Sequence, residues 1–493
     1  MPALQSDLLD PSDDGLAIWL SVAIAGLALS DPDTFHWFLI PTVLCGALVG
    51  GDAIRWFRGK LDAFDPVGLM GLGGFFFFFL APILHTIWSF WIPEVSPPPD
   101  WREWLGHMAV WNVLGLIAYR LARSGIKKRL RIPKVTWTLR YDSFVRNALI
   151  LLVVSLALQL WVYSWFGGVG GYIESFEKNP AAFEGLGIVF ILSESFPIIL
   201  LLLYAVWCKK RFGTPGWVQF WIVIPVFCLL LLFFGGLRGS RSHTIYGAFW
   251  AAGIFHLWLR QIPRKAIVVG FAVGLIFAYM FGFYKSGGLE GLATATDPNQ
   301  RRLLEQKTGR TLESLLLGDL GRSDVQAYSL YRLSSYSGYS YALGRTYLGA
   351  ASLLLPKEVF ENRPPTKVKW GTELHFGISY YDPRSWVSTR VYGLAGEAML
   401  NFGPLAIPVA FWFLGRLVRR AHRWKLLWSR DDSRYLLVPL TVIICYVMLT
   451  ADSDNVLVLT IQYFILPFLL LRASSSRVKI SNSAQVVASA GHR

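Results

Sequence analysis

Apolar stretches of roughly 16 to 25 residues recur along almost the whole chain, each long enough to cross a bilayer core of about 30 Å as a helix. Few folds accept such a pattern. In hydrocarbon, backbone amides must be satisfied inside a helix or a closed barrel, so continuous stretches of this length dictate a bundle of spanning helices. Twelve can be read, near 15–30, 37–51, 67–91, 103–122, 147–166, 186–207, 217–236, 244–260, 266–284, 394–415, 435–450 and 455–472. Composition agrees. Of 493 residues, 54% are hydrophobic and 16% charged, and the mean hydropathy of +0.43 exceeds that of a soluble domain. The expected fold class is an all-α polytopic membrane protein with about 12 transmembrane helices.

Lysine and arginine orient the bundle. The connection after segment 4 holds nine of them, from Arg120 to Arg146, against one acid, Asp142, and the connection after segment 10 holds seven, from Arg416 to Arg434. The positive-inside bias makes both cytoplasmic. Counting outward puts Arg55/Arg58/Lys60, Lys209/Lys210/Arg211, Arg260/Arg264/Lys265 and both termini on the same side. Opposite connections are neutral or acidic, as with Asp31 and Asp33, or Asp452 and Asp454. The pI near 9.6 therefore reports basic loops against anionic headgroups, and no nucleic-acid partner is expected. Segment 1 follows Asp7, Asp10, Asp13 and Asp14 rather than a basic n-region, so it reads as a retained helix and not a signal peptide.

Cys45, Cys208, Cys228 and Cys445 all fall in or at the edge of apolar segments, which leaves none to bridge an outer loop. The sequence contains no zinc-type Cys/His spacing, Walker A motif, dinucleotide fingerprint or nucleophilic Ser motif. This argues against an ATP-driven pump built on this chain alone, and no cofactor or metal is expected. The chain divides into helices over 1–284, a large extracytoplasmic loop over 285–393, helices over 394–472, and a cytoplasmic tail over 473–493 that reads as disordered. A loop of this length is usually structured or functional, and short helices on the outer face are expected. Within it Tyr328, Tyr331, Tyr336, Tyr339, Tyr341 and Tyr347 interleave with Arg332 and Arg345. Such rings suit sugar faces, or else an interfacial belt.

One short outer break violates the charge pattern: Gly235-Gly236-Leu237-Arg238-Gly239-Ser240-Arg241-Ser242-His243. Arginine on that side needs compensation, and a guanidinium pair matches phosphate oxygens bidentately without losing its proton. Arg238 and Arg241 thus read as an anion site, with Gly239 letting backbone N–H groups approach. Snorkelling to lipid headgroups is the other reading. Glu194, beside Pro197 in segment 6, is an intramembrane carboxylate that should face the bundle interior, lining a lipid-carrier groove or pairing with a cation. Asp452 and Asp454 read first as helix caps.

Three pieces of the sequence resemble the bacterial oligosaccharide repeat-unit polymerases, the O-antigen or Wzy-type family. They are Gly236–Arg241; Gly344-Arg345-Thr346-Tyr347-Leu348 followed by Leu355-Pro356-Lys357 and Arg363-Pro364-Pro365; and Gly396-Glu397-Ala398-Met399-Leu400-Asn401-Phe402-Gly403. Arg363 stands where the family has lysine. The likeness covers roughly residues 230–475, and the first half matches only in hydropathy.

The resemblance implies a GT-C-like membrane glycosyltransferase of the bacterial inner membrane with its active site facing outward. It implies undecaprenyl-diphosphate-linked oligosaccharide as donor and acceptor, membrane lipids as surroundings, and a chain-length regulator and a flippase as partners. Arg238, Arg241 and Gly239 would hold the diphosphate. The base for the acceptor hydroxyl is open between His243, whose imidazole titrates near neutrality, and Glu397. Arg345, Tyr347, Arg384, Arg390, Asn401 and Glu194 are candidate substrate contacts. Rival readings are an O-antigen ligase and a polysaccharide transporter or flippase, although no repeat between the halves favours the transporter.

Overall fold

The computed structural model describes residues 11–92, 95–124, 133–178, 180–183, 186–238, 241–294, 297–335, 338–353, 363–377, 380–382 and 390–479. The first half runs through α1 (Pro11–Ala28), α2 (Leu39–Phe57), α3 (Pro66–Ile87), α4 (Trp101–Arg123), β1 (Val135–Leu139), α5 (Tyr141–Trp165), α6 (Gly168–Lys178), α7 (Gly187–Phe212) and α8 (Trp217–Phe233). Next come α9 (Arg241–Ile254) and α10 (Arg264–Thr294). The loop contributes α11 (Pro298–Thr308), α12 (Ser323–Ser335), α13 (Arg345–Ser352) and α14 (Lys367–Phe376). The chain closes with α15 (Gly393–Phe402), α16 (Ala406–Leu427), α17 (Ser433–Thr450), α18 (Ser453–Ser474) and β2 (Ser475–Lys479).

This is a helical membrane protein. Among the described residues, α2, α3, α5, α7, the Arg264–Tyr284 part of α10, α17 and α18 are seven helices long and apolar enough to cross a bilayer. The other five expected segments coincide with α1, α4, α8, α9 and the α15–α16 region, which are shorter or more polar. Apolar side chains on α5 and α10 point outward, Val153 at 68% and Ile276 at 65% exposure, a surface suited to lipid and costly in water.

Two large apolar cores meet along α17 and the end of α2, which gives Trp56 to the first and Val49 to the second. The first gathers α5, α7, α8, α9 and α18, the second α1 to α4 with α15 and α16; α17 gives Val442 and Val447 to one and Cys445 and Leu449 to the other. Close helix approach relies on glycine, as in other membrane bundles. A Cβ on Gly415 of α16 would stand 2.5 Å from the Tyr119 carbonyl oxygen of α4, and one on Gly115 of α4 would stand 3.0 Å from the Phe411 ring.

Segment 10 differs from expectation. Instead of one helix over 394–415, the chain breaks at Gly403, whose φ of +80° disfavours a side chain, and Pro404 follows, so α15 is separate from α16. The tail also departs from expectation over its first residues: β2 pairs antiparallel with β1, Val135 opposite Lys479 and Leu139 opposite Ser475. Residues 480–493 of the expected disordered tail lie outside the described residues.

The basic connections converge. His256 Nε2 meets Asp62 at 3.1 Å, Lys425 Nζ meets Asp62 and Asp65 at 3.1 Å each, Lys209 donates to the Arg430 carbonyl at 2.6 Å, and Arg434 donates to the Val135 carbonyl at 2.7 Å. At the same end Asp13 pairs with Arg55, Arg58 and Lys60.

Candidate functional site

At the opposite end, the turn Thr450–Ser453 between α17 and α18 collects hydrogen-bond partners from three separate stretches of chain, at Tyr246, at Lys367 and over 392–397. Asp452 is fully buried. Its Oδ1 accepts from the backbone N–H groups of Tyr392 and Gly393 at 2.9 and 2.8 Å, and its Oδ2 receives the Lys367 ammonium. The capping role expected of Asp452 is corrected: it makes no side-chain cap bond to α18. That role passes to Glu397 on α15, whose Oε2 accepts from the Ser453 backbone N–H at 2.6 Å.

Glu397 Oε1 accepts from Ser453 Oγ at 2.6 Å and from Thr346 Oγ1 at 2.8 Å. Asn401 lies one turn further along the same helix face, where i and i+4 side chains meet. Its Nδ2 donates to Thr346 Oγ1 at 2.7 Å and its Oδ1 accepts from Gly344 N–H at 3.0 Å. The Thr366 side chain caps α14 and so sets Lys367 at the helix start, where its ammonium also donates to the Arg390 carbonyl at 3.2 Å. Glu397, Asn401 and Lys367 are 3%, 0% and 5% exposed, so this is a closed network.

Three carboxylates, Glu397, Asp452 and Asp454, surround one ammonium. For Lys367 burial pulls downward, but the Asp452 and Asp454 charges outweigh it and leave the ammonium above its ordinary value.

The basic break lies against α7 and α18. Gly235 has φ +123°, and a Cβ there would stand 2.7 Å from the Glu194 carboxyl carbon. Glycine is required at that contact. Glu194 sits where α7 breaks, is 4% exposed, and accepts from Gln462 Nε2 of α18 at 2.9 Å. His243 is 7% exposed and its carbonyl accepts from Tyr463 Oη at 3.4 Å. Two residues past His243 comes Ile245, and then Tyr246, whose phenol meets Thr450 Oγ1 at 3.2 Å.

The sequence-derived candidates therefore form two groups. Glu397 and Asn401 share one network with the α13 residue next to Arg345, while Glu194 and His243 flank the break. Arg345 and Tyr347 are exposed on α13, Tyr347 at 38%. Arg390 enters through its carbonyl. The backbone of Arg238 ends a short 3-10 turn and that of Arg241 begins α9, but their side chains, together with Gly239 and Arg384, lie outside the described residues.

Lys367, Thr346 and Ser453 were not singled out from the sequence. Pro364-Pro365-Thr366 does signal a helix start at Lys367, but nothing local points to a carboxylate 85 residues away. Protein-family models, curated proteins and solved structures give no match to this chain.

Proposed function

We propose that this protein is a membrane glycosyltransferase that polymerises lipid-linked oligosaccharide repeat units in O-antigen, capsule or exopolysaccharide synthesis. The observation that carries the reading is the convergence on Thr450–Ser453, where the helix opening at Arg241 arrives through Tyr246 and the large loop arrives through Thr346 and Lys367 beside Glu397. In this reading twelve helices cross the bacterial inner membrane, the basic end is cytoplasmic, and the Thr450–Ser453 end faces outward.

The chemistry divides between the two groups. Arg238 and Arg241 hold the undecaprenyl diphosphate, which leaves the donor glycan with the electron pair of the broken anomeric C–O bond. The acceptor hydroxyl of a second lipid-linked repeat forms the new bond and gives its proton to Glu397, which lies beside the Thr346 hydroxyl of the large loop. His243 stays with the diphosphate side. Acid-rich surroundings suit sugar hydroxyls, which donate to carboxylates, and the tyrosines of α12 and α13 supply apolar faces.

The purified chain reconstituted with one lipid-linked repeat unit should make a ladder of products. Single transfer that requires a lipid A core would instead favour a ligase, and movement without bond formation a flippase. Arg238→Ala and Arg241→Ala should each slow ladder formation by about 10²-fold, the usual worth of a charge-stabilising donor; unchanged rates in both would remove the diphosphate site from the break.

A further inference from the structure

A cavity borders the same turn at Thr450. Phe77 and Phe78 of α3, Ala395 of α15 and Leu449 of α17 give it apolar walls, and Arg322, Gln326 and Thr450 give it polar ones. It admits a water-sized group, not a sugar ring. Arg322 is the unusual member. Its Nη1 is buried with no hydrogen-bond partner among the described residues, although a guanidinium normally finds an acceptor when taken from water.

The backbone emphasises the position. Arg322 adopts φ +59°, a left-handed conformation uncommon for a residue with a side chain, at the end of the π-helical turn Ser314–Gly321. Its N–H closes that turn on the Leu317 carbonyl at 2.9 Å. The facing wall, Phe76–Leu80, is a second π-helical turn. Such turns re-aim side chains and recur at functional sites. Thr450, the shared wall residue, is the one that Tyr246 of α9 reaches.

We infer that Arg322 is an oxyanion-binding residue, presenting its guanidinium in this cavity to one phosphoryl group of a lipid-linked diphosphate. A planar guanidinium takes two phosphate oxygens at once, and a water-sized space admits the edge of a phosphoryl group while excluding the glycan. The inference rests on the proposed polymerase reading for the identity of the ligand. It adds a third cation, on the large loop, to the two of the break.

The test uses the full-length protein in lipid nanodiscs, with undecaprenyl diphosphate, inorganic pyrophosphate and phosphatidylglycerol as separate probes, against Arg322→Gln and Arg322→Lys. Undecaprenyl diphosphate should bind the glutamine variant at least 10-fold more weakly, with the lysine variant between it and the wild type. Thermal stability should be unchanged or higher in the glutamine variant, since no hydrogen-bond partner of that nitrogen among the described residues is lost. Equal affinity in all three proteins, or weakening only of phosphatidylglycerol binding, would overturn the inference, as would a large loss of stability in Arg322→Gln without loss of binding. If the wild type binds the diphosphate through Arg322 but makes no glycan ladder, the polymerase reading falls and the anion site stands. If ladders form at the normal rate and affinity in Arg322→Gln, the anion site alone falls.

Discussion

The two ends of the bundle treat buried charge in opposite ways. At the basic end two buried acids each face several cations: Asp13 faces Arg55, Arg58 and Lys60, while Asp52 faces Arg55 and Arg123. At the other end Glu397, Asp452 and Asp454 share Lys367, and Arg322 lines a cavity at Thr450 with a buried nitrogen that lacks a partner among the described residues. Surplus partners make a lock that tolerates the loss of any one. Scarce partners make a site whose charges still have capacity for a ligand, which is where perturbed ionisation tends to gather.

Removing one cation from each end should break this comparison most sharply. Lys367→Met leaves the Asp452 carboxylate buried without its ion pair, and breaking a buried pair from one side costs about 3–5 kcal/mol. Lys60→Met leaves Asp13 with two arginines and a fifth-exposed position vacated, so the cost should stay below about 1 kcal/mol. Thermal unfolding in one detergent reads both. Similar losses in the two variants would mean that the acids are held equally and that the contrast between ends is only geometric. Asp452→Asn combined with Lys367→Met should recover part of the loss, because the stranded charge is gone.

Acid should separate the ends next. Burial pushes the Asp62 and Asp65 carboxyls up, but His256 and Lys425 around Asp62, and His422 and Lys425 around Asp65, outweigh it and hold both well below 3.8. Their contribution is present above 3.8 and lost as pH falls toward their lowered values. Hydrogen exchange should therefore show the 62–65 connection loosening in acid. At the other end Glu397→Gln should cost about 1–3 kcal/mol, because an amide nitrogen cannot accept from Ser453 or Thr346. An unchanged melting temperature would show that these donors find other acceptors.

Helix existence was legible because hydrophobic length is a local property. Every expected segment coincides with helix, and the departures arise where a few residues override the run, as Gly403 and Pro404 do in splitting segment 10. The site was legible in part. Glu397 and Asn401 were found because they sit one helical turn apart in a short signature, and Glu194 because a carboxylate in an apolar run stands out. Lys367 and Arg322 were not, since a lysine or arginine in a long polar loop resembles its solvated neighbours until tertiary packing buries it. The strand Ser475–Lys479 was missed for a similar reason: its partner lies over 300 residues away, and polar five-residue strands carry little periodic signal.

The smallest effect tests whether the two groups of the site act as one. Tyr246 Oη to Thr450 Oγ1 at 3.2 Å is the hydrogen bond joining α9 to the turn that carries Asp452 and Ser453. Tyr246 is five residues past Arg241, about 7 Å along a helix at 1.5 Å per residue. A partly buried hydrogen bond of this kind contributes about 0.5–1.5 kcal/mol, so Tyr246→Phe should lower the melting temperature only slightly. Its effect on turnover is the informative measurement. If the break and the carboxylate network must hold diphosphate and acceptor in one geometry, a small displacement of α9 should cost several-fold in rate, more than the stability change implies. Binding of undecaprenyl diphosphate should be nearly unaffected, since no cation is removed. An unaltered rate with a lowered melting temperature would reduce the Tyr246 contact to packing, leaving the Thr450–Ser453 turn as a structural crossing and not the place where donor and acceptor meet.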